Sequence, residues 1–282
     1  MDRSIIVLQT DFTYKEGAVA SMYGVIKSVD KTIEIVDATH EIPQFDIWSA
    51  SYRLMQYVRF WPKYTIFISV VDPGVGTVRK ASLAVTNDSY YIISPDNGTY
   101  NHIYRTSGIK EVYEIDTEKF RLRGYGTDEV SVFHGRDIFA YTGALLAAQR
   151  IRYDEVGRIY PVNDIILFDE NVSYIKDGVV YGTLEISDPN FGNVWTGIPI
   201  SLFNEAGFVY GQSLIVEVKH KDKSVFFGKI YYADSFGFVK EGEMVIYMNE
   251  MRNIALAVNC GNISKEYMLG YGPDWEVSFK GE

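Results

Sequence analysis

Apolar positions in the first half of the chain alternate between two periods. The run SIIVLQTD, ending at Asp11, is apolar enough for a strand buried on both faces. Gly17 to Asp30 then carries Val19, Tyr23 and Ile26 at helical spacing. TIEIVDATH alternates as a strand and ends at Asp37 and His40. FDIWSASYRLMQYVRF places Trp48, Tyr52, Met55 and Val58 on one helical stripe. YTIFISVVD is a further strand, closing on Asp72. SLAVTNDSYYIISPDNG reads as a hairpin and then a turn at Asp96, Asn97 and Gly98, and HGRDIFAYTGALLAAQR, His134 to Arg150, as a helix. Strands alternating with helices of this length predict βαβ units and a mostly parallel sheet.

After Arg150 the pattern changes. Helical period fades through RYDEVGRIYPVND, and from Ile165 onwards the chain offers strands and turns: VVYGTLEISD, SLIVEVKH, SVFFGKIYYAD, EMVIYMN and NIALAVN. The break between Pro161 and Asn171 reads as a linker. The expected fold is an α/β N-terminal domain with a mostly parallel sheet, residues 1–163, followed by an all-β, barrel-like C-terminal domain, residues 172–282.

Composition narrows the function. A chain of 282 residues that is 47% hydrophobic has ample core. A net charge of -10 leaves little room for the positive face that a nucleic-acid partner requires. Cys260 is the only cysteine, so neither an intramolecular disulfide nor a cysteine-based zinc site is expected. MDRSIIVLQTDF opens straight into a strand pattern, and no apolar run reaches membrane-spanning length, so a cytoplasmic protein without membrane association is expected.

Candidate chemistry gathers at strand ends. Open α/β sheets bind ligands beyond the carboxyl ends of their strands, where Asp11, Asp37 and Asp72 all fall. Aspartates there also cap helices and make turns. DPGVGT lacks the Lys-Ser/Thr ending of a phosphate loop, but its glycines permit tight dihedrals and close approach to a ligand. Arg79 can fold back onto Asp72; an acid beside an arginine stays ionised and accepts a hydrogen bond from water. The same pair would equally serve as a structural ion pair. His134 in FHGRD precedes a helix, whose N-terminus disfavours added positive charge, and a neutral imidazole can orient or deprotonate water. His40 in THEIP has the same two readings, functional and structural, whereas His102 and His220 sit in polar stretches and suggest no role. No HxxxH, HxH or DxH spacing supports a metal site. In the second half, SDPNFGNVWTG gathers Asp188, Phe191, Asn193 and Trp195. If this segment is a strand, residues 191, 193 and 195 share one face, which suits a planar heterocycle, with an acid nearby for an ammonium; a packed barrel seam is the alternative.

Taken in order, QTDF, DATHEIP, VVDPGVGTVR, SPDNG, FHGRDIFA, SDPNFGNVWTG and NEMRNIALAVN resemble the S-adenosyl-L-methionine (SAM) hydroxide adenosyltransferases. These are adenosine-forming SAM hydrolases related to the bacterial fluorinase and chlorinase. The resemblance runs from about Asp11 to Asn259. It implies hydrolysis of SAM to adenosine and L-methionine, with no cofactor and no metal. It also implies a homotrimer in which one subunit's α/β domain, carrying the water-activating residues, meets a neighbour's barrel, which binds adenine and methionine. The family's water-positioning Asp, Arg and His match Asp72, Arg79 and His134. Its ribose-binding Asp matches Asp11, and its sugar-side ring is matched to Trp48. Asp188 would meet the methionine ammonium; Phe191, Asn193, Trp195 and, less closely, Phe236 would surround adenine. The region for the methionine carboxylate and adenine edge falls on Asn249 to Cys260, with Glu250, Met251 and Val258 as contacts. The fluorinase has Ser-Arg where this chain has Glu250-Met251, and Arg252 is the nearest substitute. The halogenating relatives lack the hydrolytic trio, and the fluorinase has a halide-binding Ser where this chain has Gly135. The resemblance therefore favours hydrolysis over halide-dependent adenosyl transfer or non-catalytic SAM binding.

Overall fold

β1 (Ile5–Thr10) is buried because it runs inside a sheet, between β2 (Glu34–Thr39) and β3 (Ile66–Val70), parallel to both. α1 (Ala18–Val29) and α2 (Ile47–Val58) make the two crossovers that parallel pairing requires. The Asp46 side chain starts α2 by accepting from the Ser49 N–H at 2.8 Å. Side chains alternate across the sheet: Ile6 and Leu8 pack with Met22 and Ile26 of α1, while Val7 packs with Leu54 and Val58 of α2. Helices therefore cover both faces, and the strand ends alone are open for chemistry.

This is a computed structural model, and it describes residues 5–124, 126–169 and 172–282. Ser4, where the first strand reading begins, and Asn171, where the linker reading ends, lie outside the described residues. The chain divides into two compact units, Met1–Leu167 and Phe168–Glu282.

The first unit continues with β4 (Ala81–Thr86), β5 (Tyr91–Pro95), α3 (Asn101–Thr106), β6 (Ile109–Ile115), α4 (Tyr141–Ala147) and β7 (Gly157–Tyr160). Strand order is β2-β1-β3-β5-β4-β6-β7. The sheet is mixed, which corrects the expectation of a mostly parallel one. β3 and β5 pair in parallel, but β4 is antiparallel to both β5 and β6, and β7 is antiparallel to β6. The cause is the β4–β5 hairpin. Thr86 N–H donates to Tyr90 O at 3.0 Å, and Ser89 turns the chain with φ 70°. That link is too short for a crossover, so β4 runs against its neighbours. β6, half-polar, and β7, only four residues long, had no clear signal in the sequence.

The second unit holds β8 (Tyr174–Lys176), β9 (Val179–Ser187), β10 (Val194–Pro199), α5 (Ile200–Glu205), β11 (Ser213–His220), β12 (Lys223–Tyr232), β13 (Met244–Met248), β14 (Asn253–Val258), α6 (Ile263–Glu266) and β15 (Trp275–Lys280). The order β10-β14-β13-β12-β11-β15-β9 closes through β9–β10 pairing into a seven-stranded barrel, with β8 paired outside it to β9. Closure leaves no free edge among these strands, and Leu184, Val216, Leu256 and Phe279 fill the interior. Among the described residues, no helix is long and apolar enough to cross a membrane.

Candidate active site

β1 and β3 are in register, Thr10 opposite Val70, so the residues just beyond them reach the same edge. These are Asp11 and Asp72. From Asp72 the chain turns at once: Val75 N–H donates to Asp72 O at 3.2 Å and Thr77 N–H to Gly74 O at 3.1 Å. Gly76 takes φ 75°, where a side chain would be strained, and a Cβ there would lie 3.1 Å from Ser131 O. The turn returns Arg79 to Asp72. Its Nε donates to Oδ1 at 2.9 Å and its Nη2 to Oδ2, a bidentate pair. Both side chains are buried, at 9% and 6% exposure, so the pair is held out of water.

The same Nη2 contacts His134 Nδ1 at 2.9 Å, and the Phe139 ring lies 5.3 Å from the guanidinium carbon. The structure thus joins Asp72, Arg79 and His134. A guanidinium only donates, so Nδ1 must accept, and a neutral His134 carries its proton on Nε2. With its Nδ1 lone pair engaged, the ring can donate to a water through Nε2 but is not placed to deprotonate it. Burial pushes the His134 pKa below its ordinary value, and the Arg79 charge pushes the same way, with a further contribution from Arg121. The expected direction holds, but burial leads rather than a helix dipole. The helix after His134 also opens differently from expectation: Gly135–Ala140 is a π-helical segment that runs into α4. Such wide turns recur at functional sites.

Asp72 and His134 line a cavity of ≈ 330 Å³ together with Asp11, Phe12, Phe45 and Gly135. Asp11 Oδ2 accepts from Phe45 N–H at 3.0 Å. Burial raises the Asp11 carboxyl pKa, the Phe45 hydrogen bond opposes that, and the nearby Asp72 charge adds to it. A Cβ on Gly135 would meet the Phe12 and Phe133 rings at 3.4 Å, so this glycine keeps that wall of the cavity close.

Trp48 is not on this cavity. It is 5% exposed and meets the His102 ring edge-on at 4.7 Å. Phe45, three residues earlier and 66% exposed, supplies the aromatic wall instead. The difference is positional: Phe45 lies before α2 at the strand edge, whereas Trp48 has entered the helical stripe that packs inward. His102 is likewise not in polar surroundings, being buried beside Trp48 and Tyr52 with Nδ1 2.9 Å from Ser51 Oγ. Asp37 sits at the same sheet edge but pairs with His40 and two tyrosines rather than lining the cavity.

In the barrel, residues 188–193 form the β9–β10 turn rather than a strand, so Phe191, Asn193 and Trp195 do not share a strand face. Asp188 N–H donates to Asn193 O at 2.8 Å, and Asp188 Oδ1 accepts from the N–H groups of Asn190 and Phe191. Gly192, at φ 70°, completes the turn and leaves Phe191 exposed. Trp195 is buried and donates from Nε1 to Tyr247 Oη at 3.1 Å. Tyr247 is the hub that the sequence did not reveal. Its ring meets Phe236 at 4.8 Å, and burial raises its pKa to about 12, with Asn193 hydrogen-bonded to it and the charges of Asp188 and Glu250 nearby. Its position alone, inside the apolar run EMVIYMN, gave no signal. Met251 flanks the next turn, where its N–H donates to Asn249 Oδ1 at 3.0 Å. Val258 is buried in the barrel core. Among the described residues, no group of three or more His, Cys, Asp or Glu side chains is placed to hold a metal ion.

A buried acid–arginine–histidine set on a cavity at the carboxyl edge of an α/β sheet, followed by a closed barrel, defines a two-domain enzyme class. The chain belongs to the SAM hydroxide adenosyltransferase family: the family's N-terminal domain matches residues 6–157 and its C-terminal domain residues 182–276. It is 27% identical over 279 residues to the (R)-S-adenosyl-L-methionine hydrolase of Methanocaldococcus jannaschii, covering 98% of this chain and 96% of that one. It is 25% identical over 302 residues to the fluorinase of Actinopolyspora mzabensis, covering 98% and 97%. Among solved structures, an uncharacterized conserved protein from Thermotoga maritima superposes with a TM-score of 0.85 at 30% identity, covering 98% of this chain and 99% of that one.

Proposed function

We propose that this protein hydrolyses SAM to adenosine and L-methionine by attack of water on C5′ of the adenosyl group. The observation that carries the reading is the hydrogen-bonded set Asp72, Arg79 and His134, with Asp72 and His134 on the cavity that Asp11 also lines. Both relatives named as hydrolases and relatives named as fluorinases match nearly the whole chain, so the preference for hydrolysis rests on the trio.

The geometry supports a specific division of labour. A water between Asp72 and His134 donates to the carboxylate and accepts from His134 Nε2–H, leaving a lone pair for C5′. As the O–C5′ bond forms, the C5′–S bond breaks and its electron pair returns to sulfur. Methionine leaves as a neutral thioether, so no acid is needed there. The attacking oxygen becomes strongly acidic as it bonds to carbon, and its proton passes to Asp72 and then to solvent. Arg79 holds the carboxylate from behind through both oxygens. A carboxylate and a sulfonium both become neutral along this path, which a dry site favours over bulk water. Alignment of the attack line supplies about 7–11 kcal/mol in well-oriented systems.

In this reading Asp11 takes the ribose, with Phe45 replacing Trp48 as the sugar-side ring. Asp188 offers Oδ2 to the methionine ammonium. Phe191, Asn193, Trp195 and Phe236 surround adenine, and Glu250 and Met251 lie towards the methionine carboxylate. The family resemblance supports a homotrimer in which the α/β domain, residues 1–163, contributes the water and a neighbour's barrel, residues 172–282, the adenine and methionine contacts. The test is incubation with SAM in 18O-labelled water, with and without chloride, read by mass spectrometry. Label in the adenosine 5′-hydroxyl is expected in both. Unlabelled adenosine, or 5′-chloro-5′-deoxyadenosine as the main product, would sink the reading.

A further inference from the structure

One strand over from Asp11, a second set of polar groups is left unused by the proposed reaction. Asp37 accepts hydrogen bonds from Tyr14 Oη at 2.6 Å, from Tyr23 Oη, and from His40 Nε2 at 3.0 Å. Burial alone would raise its pKa, but these three hydrogen bonds outweigh that and hold the carboxyl below its usual value. An ionised carboxylate only accepts, so the His40 proton on Nε2 faces Asp37. His40 is 1% exposed, and its Nδ1 lies 2.8 Å from Thr10 Oγ1. Thr10 Oγ1 in turn accepts from Phe12 N–H at 3.1 Å. One assignment satisfies every group: Nε2–H to Asp37, the Thr10 hydroxyl to Nδ1, and Phe12 N–H to Thr10. On the far side of the turn, the His40 carbonyl accepts from Thr13 N–H at 2.8 Å.

Both sides of Asp11 therefore hang on His40. Thr13 has φ 58°, an unfavourable conformation for a β-branched residue, and it persists only where its surroundings impose it. The turn that aims Asp11 and Phe12 at the cavity would not keep this shape alone.

We propose that His40 is a positioning residue for substrate binding, holding Asp11 and Phe12 at the cavity through Thr10 and through its own carbonyl, with Asp37 orienting its ring. The proposal rests on Asp11 as a binding residue for the hydrolase reaction, so its test has one arm that needs no substrate. In His40→Ala of the full chain, amide hydrogen exchange at Phe12 and Thr13 should quicken, while amides of β3 stay as in the wild type. In steady-state kinetics the same variant should raise KM for SAM about tenfold, the loss of roughly one net hydrogen bond, with kcat within about twofold of wild type. His40→Asn keeps an acceptor near the place of Nδ1 and should recover most of the KM loss. A purely structural role would lower kcat and the folded fraction together and would not separate the two constants. Unchanged exchange at Phe12 and Thr13, or a defect confined to kcat, overturns the proposal. If His40→Ala does not fold, Asp37→Asn, which weakens the hold on the His40 ring, carries the same measurements. If the wild type neither binds nor turns over SAM, the hydrolase reading has failed, and the exchange result decides the hold of His40 on the turn by itself.

Discussion

Arg79 can only donate, and that limits what its two partners can do. It fills one lone pair on each Asp72 oxygen and takes the Nδ1 lone pair of His134, so the carboxylate keeps acceptor capacity while the imidazole presents a donor. Replacing Asp72 by Ala should lower kcat about 100-fold or more, the span that a positioned base supplies, while the Kd for SAM moves only a few-fold. Single-turnover rates and calorimetry separate the two, and full turnover by that variant would exclude Asp72 from the mechanism. For His134, the folded pKa lies below its ordinary 6.5, so the ring stays neutral as pH falls past that value. The acid limb of kcat/KM should therefore lie below pH 6.5. The unfolded chain binds more protons than the folded one in this window, so this residue's contribution to stability is present above 6.5 and is lost as pH falls through the folded value. An NMR titration of the imidazole should move upwards in Arg79→Met, because the second cause of the shift is gone; no movement would contradict the assigned electrostatics.

At the scale of elements, the turn from Asp72 to Arg79 depends unequally on its glycines. Gly76 needs its positive φ and has Ser131 O at 3.1 Å from where a Cβ would be, whereas a Cβ on Gly74 would meet Arg79 Cγ at an ordinary 3.5 Å. Gly76→Ala should cost about 1 kcal/mol or more relative to Gly74→Ala in denaturant unfolding, and it should lower turnover as the Arg79 contact loosens. Equal effects would mean that the turn is not shaped by Gly76. Such turns were legible as turns, since Pro and Gly punctuate the chain at Pro73, Gly74 and Gly76. Their consequences were less so. SDPNFGNVWTG reads as a possible strand because Phe191, Asn193 and Trp195 alternate, but the hydrogen bonds to Asp188 Oδ1 make its first half a hairpin turn. The β4–β5 hairpin was legible too, and yet its effect, a mixed sheet, depends on β4 inserting between β5 and β6, a pairing that no local pattern encodes.

At the scale of the molecule, a barrel unit and an α/β unit each bury their own core, and the candidate contacts are divided between them. If the site is completed by neighbouring copies, light scattering should return three times the 32.1 kDa chain mass, and dilution to monomers should abolish turnover. A monomer that is fully active at low concentration would refute the trimer and leave the chemistry of the trio untouched.

The amino-acid order alone determined an α/β first unit, a strand-rich second unit and the family, because periodicity and short motifs are local properties of a chain. It also marked Asp11, Asp72, Arg79 and His134. Tertiary structure alone decided that Phe45 and not Trp48 lines the cavity, that Arg79 dictates the tautomer of His134, that Tyr247 organises the barrel residues, and that His40 grips the turn carrying Asp11. The reason is common to all four. A side chain's partner across a strand pairing or a turn lies tens of residues away in sequence, and its direction follows from dihedrals that only the assembled sheet imposes.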